Sequence, residues 1–234
     1  MKDFKAIANT IKNRSKERVF GKSSFGNIEW EKASFEWYEN EHKKAGGKQG
    51  CVYIDFKRYV DAKREMMKTV LEVGCGGGVY PIKYHELFDD LQYTGNDFSE
   101  NNIENLKKRS KFNFIAGDFI KMDMNQTYDL VFSHAVIDHV YDIDTFLSNV
   151  VKSCKKYAYV TSYEGYFPDL DNHKMNWRDE QNCYFNNISV KQIEDLLLKN
   201  DLNKNQITLK SIKDSYKHTT ESPTQLVIEI DKTV

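Results

Sequence analysis

The feature that most constrains the fold of this sequence is a glycine-rich turn directly after a short apolar run. The run Val70–Val73 is followed by residues 74–78, in which every residue except Cys75 is glycine. A short apolar run bounded by glycines is typical of a buried parallel strand. Because glycine has no Cβ, a ligand can lie against the backbone of the turn, and the amides that start the next helix attract polar or anionic groups. The stretch predicts a strand–turn–helix unit that binds a nucleotide-like ligand.

Two acidic residues make this pattern more specific. Glu72 lies inside the apolar run, where a buried carboxylate needs a partner. A dinucleotide fingerprint would require glycine or alanine at position 79, which is Val79. A second predicted strand, at 91–96, leads to Asp97, at the position where an acid would hold a ribose diol. The pattern indicates a ribose-containing ligand and departs from the dinucleotide fingerprint.

Four motifs in this order resemble those of the class I S-adenosylmethionine-dependent methyltransferases. They are Glu72-x-Gly74-x-Gly76-x-Gly78, Asp97 after the second strand, Asp118 after the third, and Tyr128-Asp129 at the start of the fourth. Together they cover about residues 68–163. The resemblance implies an enzyme that uses S-adenosylmethionine as its cofactor.

The resemblance also implies which residues hold that cofactor. Glu72 and the glycines would contact its methionine part, and Asp97 would accept hydrogen bonds from both ribose hydroxyls. Phe98 and Phe119 would enclose the adenine. The full cofactor set implied by the family is Glu72, Gly74, Gly76, Gly78, Asp97, Phe98, Asp118, Phe119 and Ser133.

Histidines follow the fourth strand, where the family has residues that face the transferred methyl group. His134 can accept a proton near neutral pH, so we expect it to be the general base if the acceptor is a hydroxyl. Asp138 could orient it across one helical turn, while His139 resembles a family histidine that is more often structural. A related subgroup binds metal through E-x-x-E-H, but Ala135 replaces the first acid here, so no metal site is predicted.

Aromatic residues outside the motifs predict the acceptor side. The chain has 14 Tyr and 14 Phe, and residues 163–187 form a long aromatic stretch without a clear period. Long ordered loops in compact domains are often functional. The residues expected to line the acceptor site are Trp30, Tyr38, Tyr163, Tyr166, His173 and Trp177.

The rhythm of strands and helices predicts an α/β fold. Strands at 69–73, 91–96, 112–115, 128–132 and 156–162 alternate with helices near 79–88, 99–109 and 142–154. This predicts a Rossmann-like parallel sheet with helices on both faces, to which the resemblance adds an antiparallel last strand. A helix from Ser189 and a hairpin of 205–213 with 224–231 close the domain.

The first 68 residues are predicted to form a helical cap on a core that spans 69–234, with 163–187 as its acceptor-side loop. Helices are expected at 3–18, 29–44 and 53–68, with glycine breaks at 21–26 and 46–50.

Composition limits the partners. The net charge is −1, so no global field favours nucleic acid, and no apolar run approaches the ~18 residues of a membrane span. Four scattered cysteines without a C-x-x-C pair fit a reduced, cytoplasmic protein. The sequence does not determine the oligomeric state.

The leading hypothesis is transfer of a methyl group to a small-molecule hydroxyl on a sugar, a nucleotide-linked sugar or a secondary metabolite. A nucleic-acid or protein methyltransferase is the first alternative, although Ser133-His134-Ala135-Val136 replaces the N/D-P-P-Y/F signature of such enzymes. The second alternative is a cofactor-binding partner subunit without catalysis, against which the complete acid-and-glycine set argues.

Overall fold

The structure is a computed structural model that describes residue 30 and residues 33–123, 125–213 and 224–234. Its helices are α1 (Phe35–Lys44), α2 (Cys51–Lys63), α3 (Glu100–Arg109), α4 (Ile143–Ser153) and α5 (Val190–Lys199). Its strands are β1 (Thr69–Val73), β2 (Gln92–Asp97), β3 (Asn113–Ala116), β4 (Tyr128–His134), β5 (Cys154–Ser162), β6 (Lys174–Arg178), β7 (Cys183–Asn187), β8 (Ile207–Lys213) and β9 (Thr224–Asp231). The helix predicted at 3–18 and the break at 21–26 lie outside the described residues.

Seven of these strands form one sheet in the order β3-β2-β1-β4-β5-β9-β8. Strands β1 to β5 pair in parallel, and β9 runs antiparallel to both β5 and β8. The predicted Rossmann-like fold with an antiparallel last strand is therefore confirmed. Because β1, β2 and β4 are parallel, their last residues lie at the same edge of the sheet, where ligands of such folds bind. These residues are Val73, Asp97 and His134.

Apolar residues on alternate positions of the strands separate two cores. Leu71, Val73 and Val131 join the cluster that packs under α4 and α5. Val70, Leu130 and Phe132 join a second cluster, rich in aromatic rings, that packs under α2 and α3. Helices therefore cover both faces, which is what a parallel sheet of nearly continuous apolar strands requires. None of the helices within the described ranges is long and apolar enough to cross a bilayer.

Short polar side chains fix where the helices begin. Ser99 accepts a hydrogen bond from the amide of Asn102 at 3.2 Å, and Asp142 accepts one from the amide of Thr145 at 2.9 Å. Ser189 caps α5 in the same way. Each of these side chains satisfies a backbone donor that the first helical turn leaves unpaired. The helices predicted at 99–109 and 142–154 are present with nearly these bounds.

The predicted helix at 79–88 is wrong. Residues Val79–Lys83 form one π-helical turn and His85–Leu87 one 3₁₀ turn. Pro81 has no amide hydrogen to continue an α-helix, and Gly78 precedes the turn with φ of 86°. Further upstream, the predicted helix at 53–68 runs from Cys51 to Lys63, and the expected glycine break contains a 3₁₀ turn.

The stretch 163–187 is more regular than its sequence suggested. It contains a two-stranded antiparallel hairpin in which Trp177 pairs with Tyr184 and Arg178 with Cys183. Asn182 takes a positive φ of 50° at the turn, which asparagine tolerates better than most residues. The hairpin strands β6 and β7 form a separate small sheet.

Glu72 on β1 is a carboxyl group in the aromatic core. Its side chain accepts a hydrogen bond from the hydroxyl of Tyr93 on β2, and the residue is 4% exposed. Burial raises the pKa of Glu72 to about 8, because the charged form loses its hydration. The folded protein therefore retains a proton that the unfolded chain releases at lower pH.

This proton makes the stability of the fold depend on pH in a direction that can be tested. Because the folded pKa exceeds the ordinary value of 4.5, stability decreases as the pH rises from there to about 8. Glu72→Gln removes this titrating group. The melting temperature of the variant minus that of the wild type should therefore increase by at least ~2–4 °C from about pH 5 to about pH 9.

Asp129→Asn provides a control of opposite sign, followed by calorimetry over a range that extends into acid below the ordinary Asp value of 3.8. Although burial opposes it, the amide of Lys68 and the ammonium of Lys156 hold the pKa of Asp129 below its usual value. This variant should lose most stability near neutral pH and little in acid. Parallel wild-type and Glu72→Gln curves would contradict the assignment to Glu72.

Candidate active site

The glycine turn after β1 is held against the end of β2. The amides of Gly74 and Cys75 both donate to the carbonyl of Asn96, at 2.8 and 2.9 Å. Gly76 has a φ of 50°, in the left-handed region that favours glycine. The turn therefore depends on glycine for its backbone conformation as well as for the space above it.

Asp97 connects this turn to the start of α3. Its carboxylate accepts from the amide of Gly76 at 2.8 Å through one oxygen and from the amide of Ser99 at 2.9 Å through the other. Burial raises the pKa of Asp97, and the two amides oppose that shift by stabilising the charged form. Each oxygen keeps further lone pairs, which is the chemistry a vicinal diol needs from its acceptor.

Tyr38 on α1 lies directly over the glycine turn. A Cβ added to Gly76 would come within 2.6 Å of the Tyr38 ring, and one added to Gly77 within 2.5 Å. The Tyr38 hydroxyl donates to the carbonyl of Trp30 at 3.2 Å and accepts from the side-chain Nδ2 of Asn102 at 3.3 Å. Tyr38, expected at the acceptor, therefore covers the glycine turn, and Trp30, also expected there, is bonded to it.

The residues expected around the adenine are split between surface and core. Asp118 accepts from the hydroxyl of Tyr141 at 2.6 Å and from the amide of Ile120 at 3.1 Å. Phe119 is buried and its ring lies 5.8 Å from that of Phe146 in the core. Phe98 is half-buried. Asp118 and Phe98 are therefore better placed than Phe119 to meet a ligand.

Ser133 and Glu72 hold neighbouring strands together. The Ser133 hydroxyl donates to the carbonyl of Val73 at 2.8 Å, and Glu72 is bonded to Tyr93 within the sheet. Both side chains are buried. Their contacts fix the edge formed by β1, β2 and β4, on which the glycine turn rests.

His134 is enclosed by aromatic rings at the end of β4. It stacks on Tyr80 at 4.9 Å and meets Phe56 edge-on at 4.7 Å. Its Nδ1 lies 3.2 Å from the hydroxyl of Thr161, and its buried Nε2 has no hydrogen-bond partner among the residues that the structure describes. Burial, with a smaller contribution from His42, lowers the pKa of His134 to about 3. The imidazole is therefore neutral and a weak proton acceptor.

Asp138 does not pair with His134 in the structure. The segment between them is not helical, and Ala135 has a φ of 56°. Asp138 instead accepts from the hydroxyl of Ser162 at 2.6 Å and from the amide of Glu164 at 3.2 Å. Burial raises the pKa of Asp138 to about 7. Its contacts tie the loop after β4 to the end of β5.

His139 forms hydrogen bonds through both of its ring nitrogens. Its Nδ1 lies 2.7 Å from the carbonyl of Tyr184, and since a carbonyl can only accept, Nδ1 carries the proton. Its Nε2 is then an acceptor for the Tyr163 hydroxyl at 3.0 Å. The ring lies 4.4 Å from that of Trp30 and 4.9 Å from that of Phe185.

Burial lowers the pKa of His139 to about 4, although its bond to Tyr184 opposes the shift. Local sequence patterns did not favour His139, because its hydrogen-bond partners come from segments far away along the chain. The paired aromatic residues Tyr184 and Phe185 were the available signal.

The remaining residues expected at the acceptor lie in different places. Trp177 packs against Tyr184 at 5.0 Å, on the hairpin that also carries Phe185. His173 accepts from the amide of Ser189 at 2.9 Å and so fixes the start of α5. Tyr166 is half-buried against the core under α4 and α5. Trp30 and Tyr163 therefore lie near His139, whereas Trp177 packs on the other face of the hairpin from Phe185. His173 fixes the start of α5.

Comparison with known proteins agrees with this geometry. Residues 65–219 match the family described as "Methyltransferase domain". The chain belongs to this family. The match contains the glycine turn, Asp97 and Asp118, so the resemblance based on the four motifs is confirmed.

Two groups of relatives carry names of O-methyltransferases. A "Ubiquinone biosynthesis O-methyltransferase" of Rickettsia akari is 28% identical over 109 residues, which cover 44% of this chain and 43% of that protein. A "Malonyl-[acyl-carrier protein] O-methyltransferase" of Chlorobium luteolum is 34% identical over 93 residues, which cover 37% and 35%. The matches span less than half the length of these curated relatives.

Solved structures share the fold. A S-adenosylmethionine-dependent methyltransferase from Clostridium acetobutylicum is 11% identical, with a TM-score of 0.57 over 84% of this chain and 97% of that one. The amino pentose methyltransferase CalS10 from Micromonospora echinaspora, solved with S-adenosylmethionine bound, is 12% identical, with a TM-score of 0.56 over 82% and 96%.

The contacts of Asp97 lead to a binding prediction. Asp97→Asn keeps the size of the side chain but removes the charge, and we expect it to bind S-adenosylhomocysteine ~10–100-fold more weakly, the usual scale for a charge-assisted hydrogen bond. Calorimetric titration measures this directly. Asp129→Asn, which changes a buried acid at the opposite end of the strands, should bind normally, and equal affinities in both variants would exclude Asp97 from the site.

Proposed function

We propose that this protein transfers the methyl group of S-adenosylmethionine to a hydroxyl group of a small molecule. The observation that carries the proposal is the bridge from Asp97 to the amides of Gly76 and Ser99. It joins the acid and the glycines of the family motif at the sheet edge where ligands of this fold bind. The family match, which begins at residue 65, also supports the division between a cap of residues 1–68 and a core.

The residues at this edge fit the proposed cofactor. Asp97 would accept from the ribose diol, and the absence of a Cβ at Gly76 would let a ligand approach the backbone where the Tyr38 ring now lies. Asp118 would accept from the exocyclic amine beside Phe98. The sulfonium of the bound cofactor supplies an activated methyl group, and the chain's own contribution is to orient the acceptor and exclude water.

The acceptor side supports transfer to oxygen. Both groups of relatives described above have O-methyltransferase in their names. Tyr163 and Phe185 supply flat apolar surfaces close to His139, which suits a hydroxylated ring or sugar. The net charge of −1 offers no support for a nucleic-acid substrate.

His139 and His134 are the two candidates for the general base, and the contacts favour His139. The Nε2 of His139 already accepts from a hydroxyl, that of Tyr163, and an acceptor hydroxyl could take the same position. His134 has no hydroxyl at Nε2 and is surrounded by rings of the core. In this mechanism the acceptor's proton passes to Nε2 of His139 while the carbonyl of Tyr184 holds the opposite nitrogen.

The proposed function is tested by the release of S-adenosylhomocysteine from S-adenosylmethionine with a panel of hydroxylated sugars, nucleotide-linked sugars and phenols. Release with at least one of them supports the enzyme. Tight cofactor binding without release from this panel, from RNA or from peptides would favour the non-catalytic partner subunit instead.

The two histidines can be separated by substitution. His139→Ala should lower kcat ~10²–10⁴-fold, the range for loss of proton transfer, with little change in cofactor affinity. His134→Ala should act mainly on stability, because it leaves a cavity among packed rings. Turnover, calorimetry and melting curves of both variants give the comparison, and the reverse pattern would assign the base to His134.

The pH profile provides an independent check. The base must be neutral, and burial lowers the pKa of His139 to about 4 in the free enzyme. Activity measured as kcat/KM should therefore stay level as the pH falls through about 6.5, the ordinary imidazole value, and decline only in more acidic solution. A decrease of the wild-type kcat/KM with an apparent pKa of about 6.5 would contradict a buried histidine as the base.

A further inference from the structure

Arg178, at the end of β6, stacks on an aromatic ring beside the proposed acceptor site. Its guanidinium carbon lies 3.8 Å from the centre of the Phe185 ring. The same ring meets His139 edge-on at 4.9 Å. Arg178 therefore stands one aromatic ring away from the imidazole proposed as the base.

The charge of Arg178 has no partner within the part of the chain that the structure describes. No ion pair or side-chain hydrogen bond of Arg178 occurs there, and its neighbour Asp179 is bonded to the indole nitrogen of Trp177 at 2.9 Å. The other acids near His139, Asp138 and Glu164, are buried behind the loop after β4. Stacking uses the face of the guanidinium and leaves the N–H groups around its rim available.

The positive charge also acts on the site. Arg178 adds to the effect of burial in lowering the pKa of His139, and it opposes the rise that burial causes in the pKa of Tyr163. Both effects place the guanidinium within electrostatic range of the His139–Tyr163 pair. An anion held by Arg178 would lie beside the group that accepts the proton.

We propose that Arg178 binds an anionic group, a carboxylate or a phosphate, on the methyl acceptor, so that the substrate is a hydroxylated acid or phosphate ester. This rests on the proposed function, since it concerns the acceptor of the same site. A planar guanidinium fixed on a ring presents paired N–H donors that match two oxygens of either group. Phe185 would hold the guanidinium of Arg178 in place. The position of the bound anion would then determine which hydroxyl of the substrate reaches His139.

The test compares anionic probes with neutral counterparts of nearly the same shape. Para-hydroxyphenylacetate is paired with its amide for the carboxylate arm, and a glucose phosphate with glucose for the phosphate arm. Their dissociation constants are measured by calorimetry with S-adenosylhomocysteine present. The wild type should bind the anion of at least one pair ~10-fold or more tightly than its neutral partner, the scale of one charged hydrogen bond.

Arg178→Met should abolish this preference while retaining an apolar side chain over Phe185. Arg178→Lys should restore only part of it, because an ammonium cannot donate a paired fork. Arg109→Met is the matched control, since Arg109 also stacks on a phenyl ring, that of Phe35 at 4.5 Å, but on α3 away from the hairpin. Melting temperatures and the affinity for S-adenosylhomocysteine should be the same in all variants.

Two results would overturn the proposal: no anion preference in the wild type for either pair, or a preference that survives in Arg178→Met. Turnover is measured separately, as release of S-adenosylhomocysteine with the same probes. An anion preference that depends on Arg178 without turnover would count against the proposed methyl transfer but not against the anion site. Turnover of neutral and anionic probes with equal kcat/KM would remove the anion site and leave the methyl transfer.

Discussion

The ligand edge of this protein depends on one buried carboxylate, that of Asp97. Its two oxygens hold the amides of Gly76 and Ser99, so a single side chain fixes the glycine turn after β1 and the start of α3. Either amide left unpaired in a buried position would cost about 1–3 kcal/mol. The geometry of the turn and the first turn of α3 is therefore coupled through Asp97, and a ligand that shares its lone pairs is held by both elements at once.

Three carboxyl groups near this edge are buried in surroundings that disfavour the charged form. Burial raises the pKa of Glu72 to about 8 and that of Asp138 to about 7, and it raises the pKa of Asp97 as well. Each acid is compensated differently: Glu72 by the Tyr93 hydroxyl, Asp97 by backbone amides, and Asp138 by Ser162 with two amides. Of these three acids, Asp97 is the one bonded to an amide of the glycine turn, and this contact is the basis for proposing it as the acid that binds the cofactor.

The sheet and the cofactor motif could be predicted because each strand and each motif consists of residues that are close together in the sequence. Short apolar runs bounded by turns indicated the strands, and the helices expected near 99, 142 and 189 begin at the caps Ser99, Asp142 and Ser189. The prediction of a helix at 79–88 was wrong because Pro81, which has no amide hydrogen, prevents an α-helix despite the apolar pattern. The contacts of His139 with Trp30 and Tyr184 could not be predicted, since they join residues that are distant in sequence and depend on how the hairpin β6–β7 packs. Spacing alone therefore pointed to His134, which faces the aromatic core.

The position of Tyr38 connects cofactor and acceptor in one set of contacts. Its ring covers Gly76 and Gly77, and its hydroxyl bonds the carbonyl of Trp30, whose indole lies 4.4 Å from His139. Lys83 bonds Glu39 of α1 at 2.7 Å and so ties the same helix to the turn after Gly78. A ligand that lies against the backbone of Gly76 must displace the Tyr38 ring or stack on it. Either response would move the hydroxyl that bonds Trp30, and the contact between Trp30 and His139 would carry that movement to the surroundings of the histidine.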